Sequence, residues 1–277
     1  MSNASEAAMR RLLTDARFEI LPTATIEEKV RQALPSTTTI TVTASPAKPL
    51  EATLGATERL TAAGYRVIPH LAARMIHGRS ELSEIVARLQ GNGVTAIFVP
   101  GGDATPQDGC YHSAVELLDD LASIPHPFTQ IGVTGYPESH PSIEDDVTVQ
   151  AMWDKRRHAT HIVSNMTFDA AGVAKWVARV RRRGVQIPII VGQPGPIERT
   201  KLLAMAGKVG IGESMRFLTK QKGVFARIAA PGFTPESFLE KISRVAAHDD
   251  MRIDGLHLFT FNQVAETQAW REKLLLG

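Results

Sequence analysis

The chain has 277 residues, of which 43% are hydrophobic and 22% charged, and its formal net charge is +2. This composition is ordinary for a globular protein, and the small charge gives no support for a nucleic-acid or membrane partner. The single cysteine, Cys110, excludes an internal disulfide, and no Cys/His cluster has zinc spacing, so we predict no metal site. No secretory signal or membrane span is visible, and we expect a cytoplasmic protein.

Short apolar runs rich in Ile, Val and Thr recur along the chain, as expected of buried parallel strands. Amphipathic stretches separate them, and this alternation predicts a parallel α/β sheet. Eight such units favour a closed (β/α)8 TIM barrel, which typically needs about 250 residues. We therefore predict a single domain over residues 16–277, preceded by an N-terminal extension over residues 1–15. The eight runs are Arg17–Ile20, Thr38–Thr43, Arg66–Pro69, Thr95–Val99, Gln130–Val133, His161–Ser164, Ile187–Val191 and Leu256–Thr260.

Helical spacing of apolar residues is clear in four of the intervening stretches. These are Glu51–Ala63, Ser80–Gln90 with Ser80 as N-cap, Ala170–Arg183 and Pro235–Ala247. The interval Gly192–Ala230 departs from the simple alternation, because it needs an extra short helix before the eighth strand.

Polar residues lie near the ends of several predicted strands or in the loops that follow them. They are Glu19, His70, Asp103, Tyr136 with His140, and Asn165. The carboxyl ends of the strands form the active face of a (β/α)8 barrel, so these side chains are expected to converge there. The pattern predicts an enzyme.

Each of these residues also has a plainer interpretation. Glu19 lies among apolar residues, and a carboxyl group that loses solvation there becomes a better proton donor. The alternative is a structural carboxylate that pairs with a nearby basic residue. His70 alone is more typical of a structural histidine. The glycines before Asp103 allow a planar ligand to approach the backbone, or simply form a turn. No GxGxxG or P-loop motif occurs. The run Tyr136–Pro141 presents Tyr, Glu and His on a loop stiffened by two prolines.

The ordered motifs together resemble the methylenetetrahydrofolate reductase family over about residue 17 to the C-terminus. The matching motifs are Phe18-Glu19-x-x-Pro22, Pro69-His70-Leu71, Gly102-Asp103, Tyr136-Pro137-Glu138-x-His140-Pro141 and Thr260-x-Asn262. The resemblance implies a (β/α)8 barrel of one-carbon metabolism and methionine biosynthesis. Such enzymes reduce 5,10-methylenetetrahydrofolate to 5-methyltetrahydrofolate, usually through FAD that NADH or NADPH reduces.

The resemblance also implies roles for individual residues. Glu19 and Asp103 would be catalytic: Glu19 would assist protonation of folate N10, and Asp103 would bind the pterin and tune the hydride-transfer centre. Asn165 stands where the family has a folate-binding glutamine. Cofactor contacts would come from Thr43, His70, Gly102, Tyr136, His140 and Lys155, although a solvated basic helix face is an equal alternative for Lys155 and its neighbours.

Three departures from the family pattern concern the flavin. Gly101 and Gln263 stand where arginines are usual, and the aromatic run after the sixth strand is reduced to Met166–Phe168. Loss of charge-assisted donors weakens binding of a pyrophosphate. We therefore predict weak or absent FAD binding and direct hydride transfer from NADH or NADPH to a tetrahydrofolate derivative.

Two other functions fit the same residues. A folate-dependent methyltransferase on this barrel would show no nicotinamide oxidation. A non-catalytic folate-binding or flavin-binding barrel would tolerate Glu19→Gln. The sequence does not specify an oligomeric state or a choice between NADH and NADPH.

Overall fold

The computed structural model describes residues 1–103, 107–138, 145–196 and 234–276. Eight parallel strands form one sheet in the order β3-β2-β1-β8-β7-β6-β5-β4. The two edge strands are joined by a parallel bridge between His70 and Phe98, where Leu71 N donates to Phe98 O at 2.8 Å. The sheet is therefore a closed barrel, as predicted. Its strands are β1 Arg17–Ile20, β2 Thr39–Val42, β3 Arg66–Pro69, β4 Ala96–Val99, β5 Gln130–Gly135, β6 His161–Met166, β7 Ile189–Pro194 and β8 Ile253–Phe259.

Helices surround this barrel and return the chain from one strand to the next. No helix in the described ranges combines the length and apolar character that a membrane span requires. Two short 3₁₀ turns, Ala73–Met75 and Asp249–Met251, complete the regular structure described. The helices are α1 Asn3–Thr14, α2 Ile26–Ala33, α3 Leu50–Ala62, α4 Arg79–Gly91, α5 Ala114–Leu121, α6 Asp145–Lys155, α7 Ala170–Arg182, α8 Pro235–Ala246 and α9 Val264–Leu276.

The predicted element boundaries differ from the observed ones in instructive places. Strand β6 runs to Met166, so Asn165 lies within the strand rather than after it. Ser80 is not an N-cap, because α4 begins at Arg79 after Gly78, whose φ of 108° suits glycine. The extra helix expected within Gly192–Ala230 falls on residues 197–233, outside the described ranges.

Side chains that alternate along the strands divide the barrel interior into levels. On β3, Arg66, Ile68 and His70 share the inward face, and on β6, His161 and Val163 do the same. The middle level is a small apolar cluster that is separate from the main core. Polar groups lie on both sides of it, toward the amino and the carboxyl ends of the strands. The cluster comprises Ile68, Ala96, Phe98, Val163 and Ile190.

A hydrogen bond between Arg17 and His161 fills the amino-end level. Arg17 Nη1 donates to His161 Nε2 at 2.7 Å. Burial, and then the Arg17 charge, lower the pKa of His161 to about 3, so its ring is neutral and can accept this bond. A Cβ on Gly132 would lie 2.8 Å from His161 Nε2, so glycine makes room for the ring.

The N-terminal extension is a helix that packs against the barrel. Leu12 and Leu13 of α1 are fully buried in the main core. Arg11 donates to the carbonyl oxygens of Ala246 and Ile253, which tie α1 to α8 and β8. Helix α1 is therefore part of the folded domain.

We expect Leu12→Ala to lower the free energy of unfolding by about 2–5 kcal/mol, because it leaves a cavity in a fully buried site. The exposed Glu6 of the same helix provides the control, and Glu6→Ala should change stability by at most about 0.5 kcal/mol. Urea unfolding followed by circular dichroism measures both. Equal stability of the two variants would show that α1 does not contribute to the core.

Candidate functional site

A carboxylate and two imidazoles meet at the carboxyl ends of β1, β3 and β8. Glu19 Oε2 lies 2.8 Å from His257 Nε2 and 3.9 Å from His70 Nε2. Both histidines are buried, and Glu19 is partly exposed. At 2.8 Å the Glu19 and His257 atoms share a proton in a hydrogen bond, so this pair can hold a proton at the active face.

His70 has two roles: its main chain joins the edge strands of the barrel, and its ring faces Glu19. Its backbone bridges to Phe98, and its ring packs edge-on against the Phe98 ring with centroids 4.7 Å apart. Burial, and then the charge of His257, hold the pKa of His70 well below its usual value. His70 is therefore neutral at physiological pH. Its Nε2 has no hydrogen-bond partner within the part of the chain described.

The segment after β8 fixes the end of β1. Thr260 Oγ1 donates to Glu19 O at 2.6 Å. The Asn262 side chain accepts from Leu21 N and donates to Leu21 O. Phe261 and Asn262 both have positive φ, 50° and 62°, a conformation that costs energy outside glycine. The Thr260-x-Asn262 motif thus positions Glu19.

Asp103 and Tyr136 form a second group, on the loops after β4 and β5. Burial, and then the negative charge of Asp103, raise the pKa of Tyr136 to about 12. Gly102 precedes Asp103 with φ 87°, and a Cβ there would lie 3.1 Å from the Ala72 Cβ. Glycine is thus required to bring the Asp103 loop against the segment after β3.

The other predicted site residues are more scattered. Thr43 follows β2, and its N–H donates to Ile20 O. Asn165 lies near the carboxyl end of β6, and neither polar atom of its amide has a partner among the residues described. Lys155 is the last residue of α6, and its Nζ donates to Thr134 O of β5 at 3.4 Å.

His140 is outside the described ranges. Glu138, from the same motif, accepts from Phe168 N and Asp169 N and so holds the start of α7.

Two residues that the sequence did not single out lie at this face. His257 is one of them, hidden in the apolar run of β8. The other is Arg74. Its main-chain N–H donates to Gly101 O, and its side-chain Nε donates to His112 O, in the loop between β4 and α5, at 3.3 Å. Arg74 therefore places a positive charge beside the loop in which the expected arginine is replaced by Gly101. Period-two alternation could have indicated His257, whereas nothing local in the sequence indicates Arg74.

A closed (β/α)8 barrel with a proton-holding carboxylate at the carboxyl ends of its strands is an enzyme scaffold. A family model described as methylenetetrahydrofolate reductase matches residues 23–273 of the chain. The chain therefore belongs to the methylenetetrahydrofolate reductase family, which confirms the resemblance read from its motifs.

Methylenetetrahydrofolate reductase 2 of Saccharomyces cerevisiae is 32% identical over 92 residues, which cover 32% of this chain and 15% of the yeast protein. The match thus spans a small part of that relative.

Solved structures share the fold at low identity. A protein from Clostridium thermocellum, described as binding two copies of 5-methyl-5,6,7,8-tetrahydrofolic acid, has a TM-score of 0.63 and 9% identity, over 95% of this chain and 99% of that one. An oxaloacetate acetylhydrolase has a TM-score of 0.53 and 10% identity, over 99% and 85%. At these identities the similarities establish the barrel fold.

The buried ammonium group of Lys155 affects how the stability of the protein depends on pH. Burial lowers its pKa to about 8, so the charged form is disfavoured in the folded chain. The unfolded chain binds this proton more tightly, so the penalty is complete below pH 8 and disappears as the pH rises toward 10.4. We expect Lys155→Met to stabilise the protein by about 2–3 kcal/mol at pH 7 and to reduce the gain in stability between pH 8 and 10.

The exposed Lys175 on α7 provides the matched control, and Lys175→Met should leave the pH profile unchanged. Thermal unfolding at several pH values measures the effect. A loss of stability in Lys155→Met at pH 7 would contradict the burial penalty.

Proposed function

We propose that this protein reduces 5,10-methylenetetrahydrofolate to 5-methyltetrahydrofolate with a hydride from NADH or NADPH. The observation that carries the proposal is the Glu19 carboxylate, which shares a proton with His257 across 2.8 Å at the carboxyl end of the first strand. This is the strand on which the family resemblance places the proton donor. Family membership over residues 23–273 supports the same activity.

In the proposed reaction Glu19 donates a proton to N10 of the folate. The bond between N10 and the bridging methylene carbon then breaks, and the electron pair of N5 forms an iminium with that carbon. The hydride from C4 of the nicotinamide adds to the iminium carbon and gives the N5-methyl group and oxidised nicotinamide. His257 keeps the Glu19 carboxylate oriented, and a proton from solvent restores the pair. Such proton transfer typically contributes about 10²–10⁴-fold to the rate.

Asp103 and Asn165 are the proposed pterin contacts. A carboxylate accepts from the amide and amino groups of a pterin, and it stabilises positive charge that develops in the ring. The Asn165 amide has a donor and an acceptor that no described residue satisfies. Because buried unsatisfied amide atoms cost free energy, a ligand that pairs with them gains affinity.

The residues assigned to flavin fit FAD poorly. A pyrophosphate calls for charge-assisted donors. Of the described residues that the resemblance assigns to cofactor contact, His70 is neutral and so carries no charge to a phosphate. Lys155 donates to the main-chain oxygen of Thr134. We therefore propose that hydride passes directly from NADH or NADPH to the folate without FAD, with Arg74 as the candidate contact for the dinucleotide phosphates.

The folate assignment has support from the barrel of Clostridium thermocellum, since that protein binds a reduced, methylated folate. At 9% identity this similarity supports a ligand class and no particular contact.

We expect Glu19→Gln to lower kcat for folate-dependent NADH or NADPH oxidation by about 10²–10⁴-fold while the fold is retained. The amide keeps the shape and can still pair with His257, but it cannot donate the proton. The exposed Glu84 on α4 provides the control, and Glu84→Gln should behave as wild type. Unchanged turnover in Glu19→Gln would exclude the proton-donor role, and wild type without nicotinamide oxidation would favour the methyltransferase or the non-catalytic binder.

We expect the purified protein to show no flavin absorption bands in the blue and near-ultraviolet. Loss of one charge-assisted hydrogen bond to a pyrophosphate costs about 1.5–3 kcal/mol, which corresponds to roughly ten- to a hundredfold in affinity. Initial-rate kinetics should then show a ternary complex of nicotinamide and folate. Stoichiometric FAD that nicotinamide alone bleaches would refute direct transfer and leave the reductase activity in place.

A further inference from the structure

We propose that Glu19, His70 and His257 form a binding site for one Zn²⁺ ion, or a similar divalent transition-metal ion, inside the mouth of the barrel. One potential ligand atom from each residue lies within 4.8 Å of the other two. The three residues are far apart in sequence, so the site forms only when the barrel closes. No spacing motif in the sequence indicates it.

The donor set selects the kind of ion. Two imidazole nitrogens and one carboxylate oxygen match the His₂Glu sites that zinc occupies with a fourth position open, whereas Mg²⁺ and Ca²⁺ prefer oxygen ligands. His70 offers Nε2 without a competing partner among the described residues.

The distances are close to those of an assembled site. Zinc bonds of about 2.0–2.1 Å at tetrahedral angles place the ligand atoms roughly 3.3 Å apart. The observed separations from Glu19 Oε2 are 2.8 Å to His257 and 3.9 Å to His70, one shorter and one longer than this. The ligand nitrogens of His70 and His257 lie within 4.8 Å of each other, so metal binding would bring them closer by up to about 1.5 Å through side-chain rotation.

The surroundings hold the three ligands in place. The His70 ring packs edge-on against Phe98, and the His257 ring packs edge-on against Phe259. The Thr260 hydroxyl fixes the main chain of Glu19. His257 Nδ1, however, has no hydrogen-bond partner in the described part of the chain. Because metal-bound histidines usually donate through the second nitrogen, and losing that partner typically costs about 10–100-fold, we expect moderate affinity.

Metal binding and proton donation exclude each other at this site. The ion takes the Glu19 oxygen and the His257 nitrogen that share the proton, and that proton is released on binding. If the proposed function holds, the metal-loaded protein is an inhibited form, and this consequence alone rests on that function.

Titration of the full chain with Co²⁺ tests the site, because tetrahedral Co²⁺ with nitrogen ligands gives visible absorption bands. We expect one equivalent to bind, Zn²⁺ to displace it, and calorimetry to show at least about 100-fold weaker Zn²⁺ binding in His70→Asn and His257→Asn. His77 on the surface is the matched control, since it contacts Glu81 at 3.0 Å and Asp108 at 3.8 Å. His77→Asn should bind as wild type.

Paramagnetically shifted imidazole signals from two histidines in wild type would support the site even if a variant fails to fold. Absence of Co²⁺ and Zn²⁺ binding, or binding lost only in His77→Asn, would overturn the proposal. Tight Zn²⁺ binding at the three residues with no nicotinamide oxidation by the metal-free protein would support the site and contradict the proposed function instead.

Discussion

The hydrogen bond between Glu19 and His257 is the contact on which the active face depends. An ionisable carboxyl group inside a barrel loses hydration, and this cost must be offset by a partner of suitable geometry. His257 provides that partner only because β8 pairs with β1, and Thr260 and Asn262 then fix the two strand ends together. His70 reaches the same carboxylate because β3 closes on β4 at the bridge to Phe98. Barrel closure and the assembly of the site are thus one structural event.

The levels inside the barrel separate two polar groups from each other. The amino-end level contains a partly buried arginine, Arg17, which donates a hydrogen bond to the neutral ring of His161. The apolar cluster around Ile68 and Phe98 separates this pair from the carboxyl-end level. On the mouth side of that cluster, Asn165 and His70 carry buried polar atoms that no described residue satisfies. The amino-end pair contributes to the packing of a polar interior, and the carboxyl-end group is open to partners.

The sequence predicted the fold well because each strand is a short β-branched run set between amphipathic helices, and local pattern is enough for that. It also indicated Glu19 and His70 as candidate site residues, since both lie near the ends of such runs. It missed His257 because the residue alternates with Leu256 and Leu258 inside a strand, where a histidine reads as part of the core. For Lys155 it left a cofactor contact and a solvated basic helix face equally open, and the structure buries the side chain near Thr134 O, which contradicts the solvated face. Neither exposure nor contact partner can be read from one helical run.

Contacts between loops were beyond the sequence for a different reason. Gly101 suggested a missing positive charge, yet the Arg74 guanidinium, from the 3₁₀ turn after β3, contacts the loop between β4 and α5 through a hydrogen bond from Nε to His112 O. A residue lost at one position of a barrel mouth can therefore be replaced in space by a residue from the neighbouring loop, since successive loops lie side by side at this face. The same geometry makes His257, at the opposite end of the chain from Glu19, its nearest chemical partner. Function in this fold is set by which strand ends are neighbours, and distance along the sequence carries little information about it.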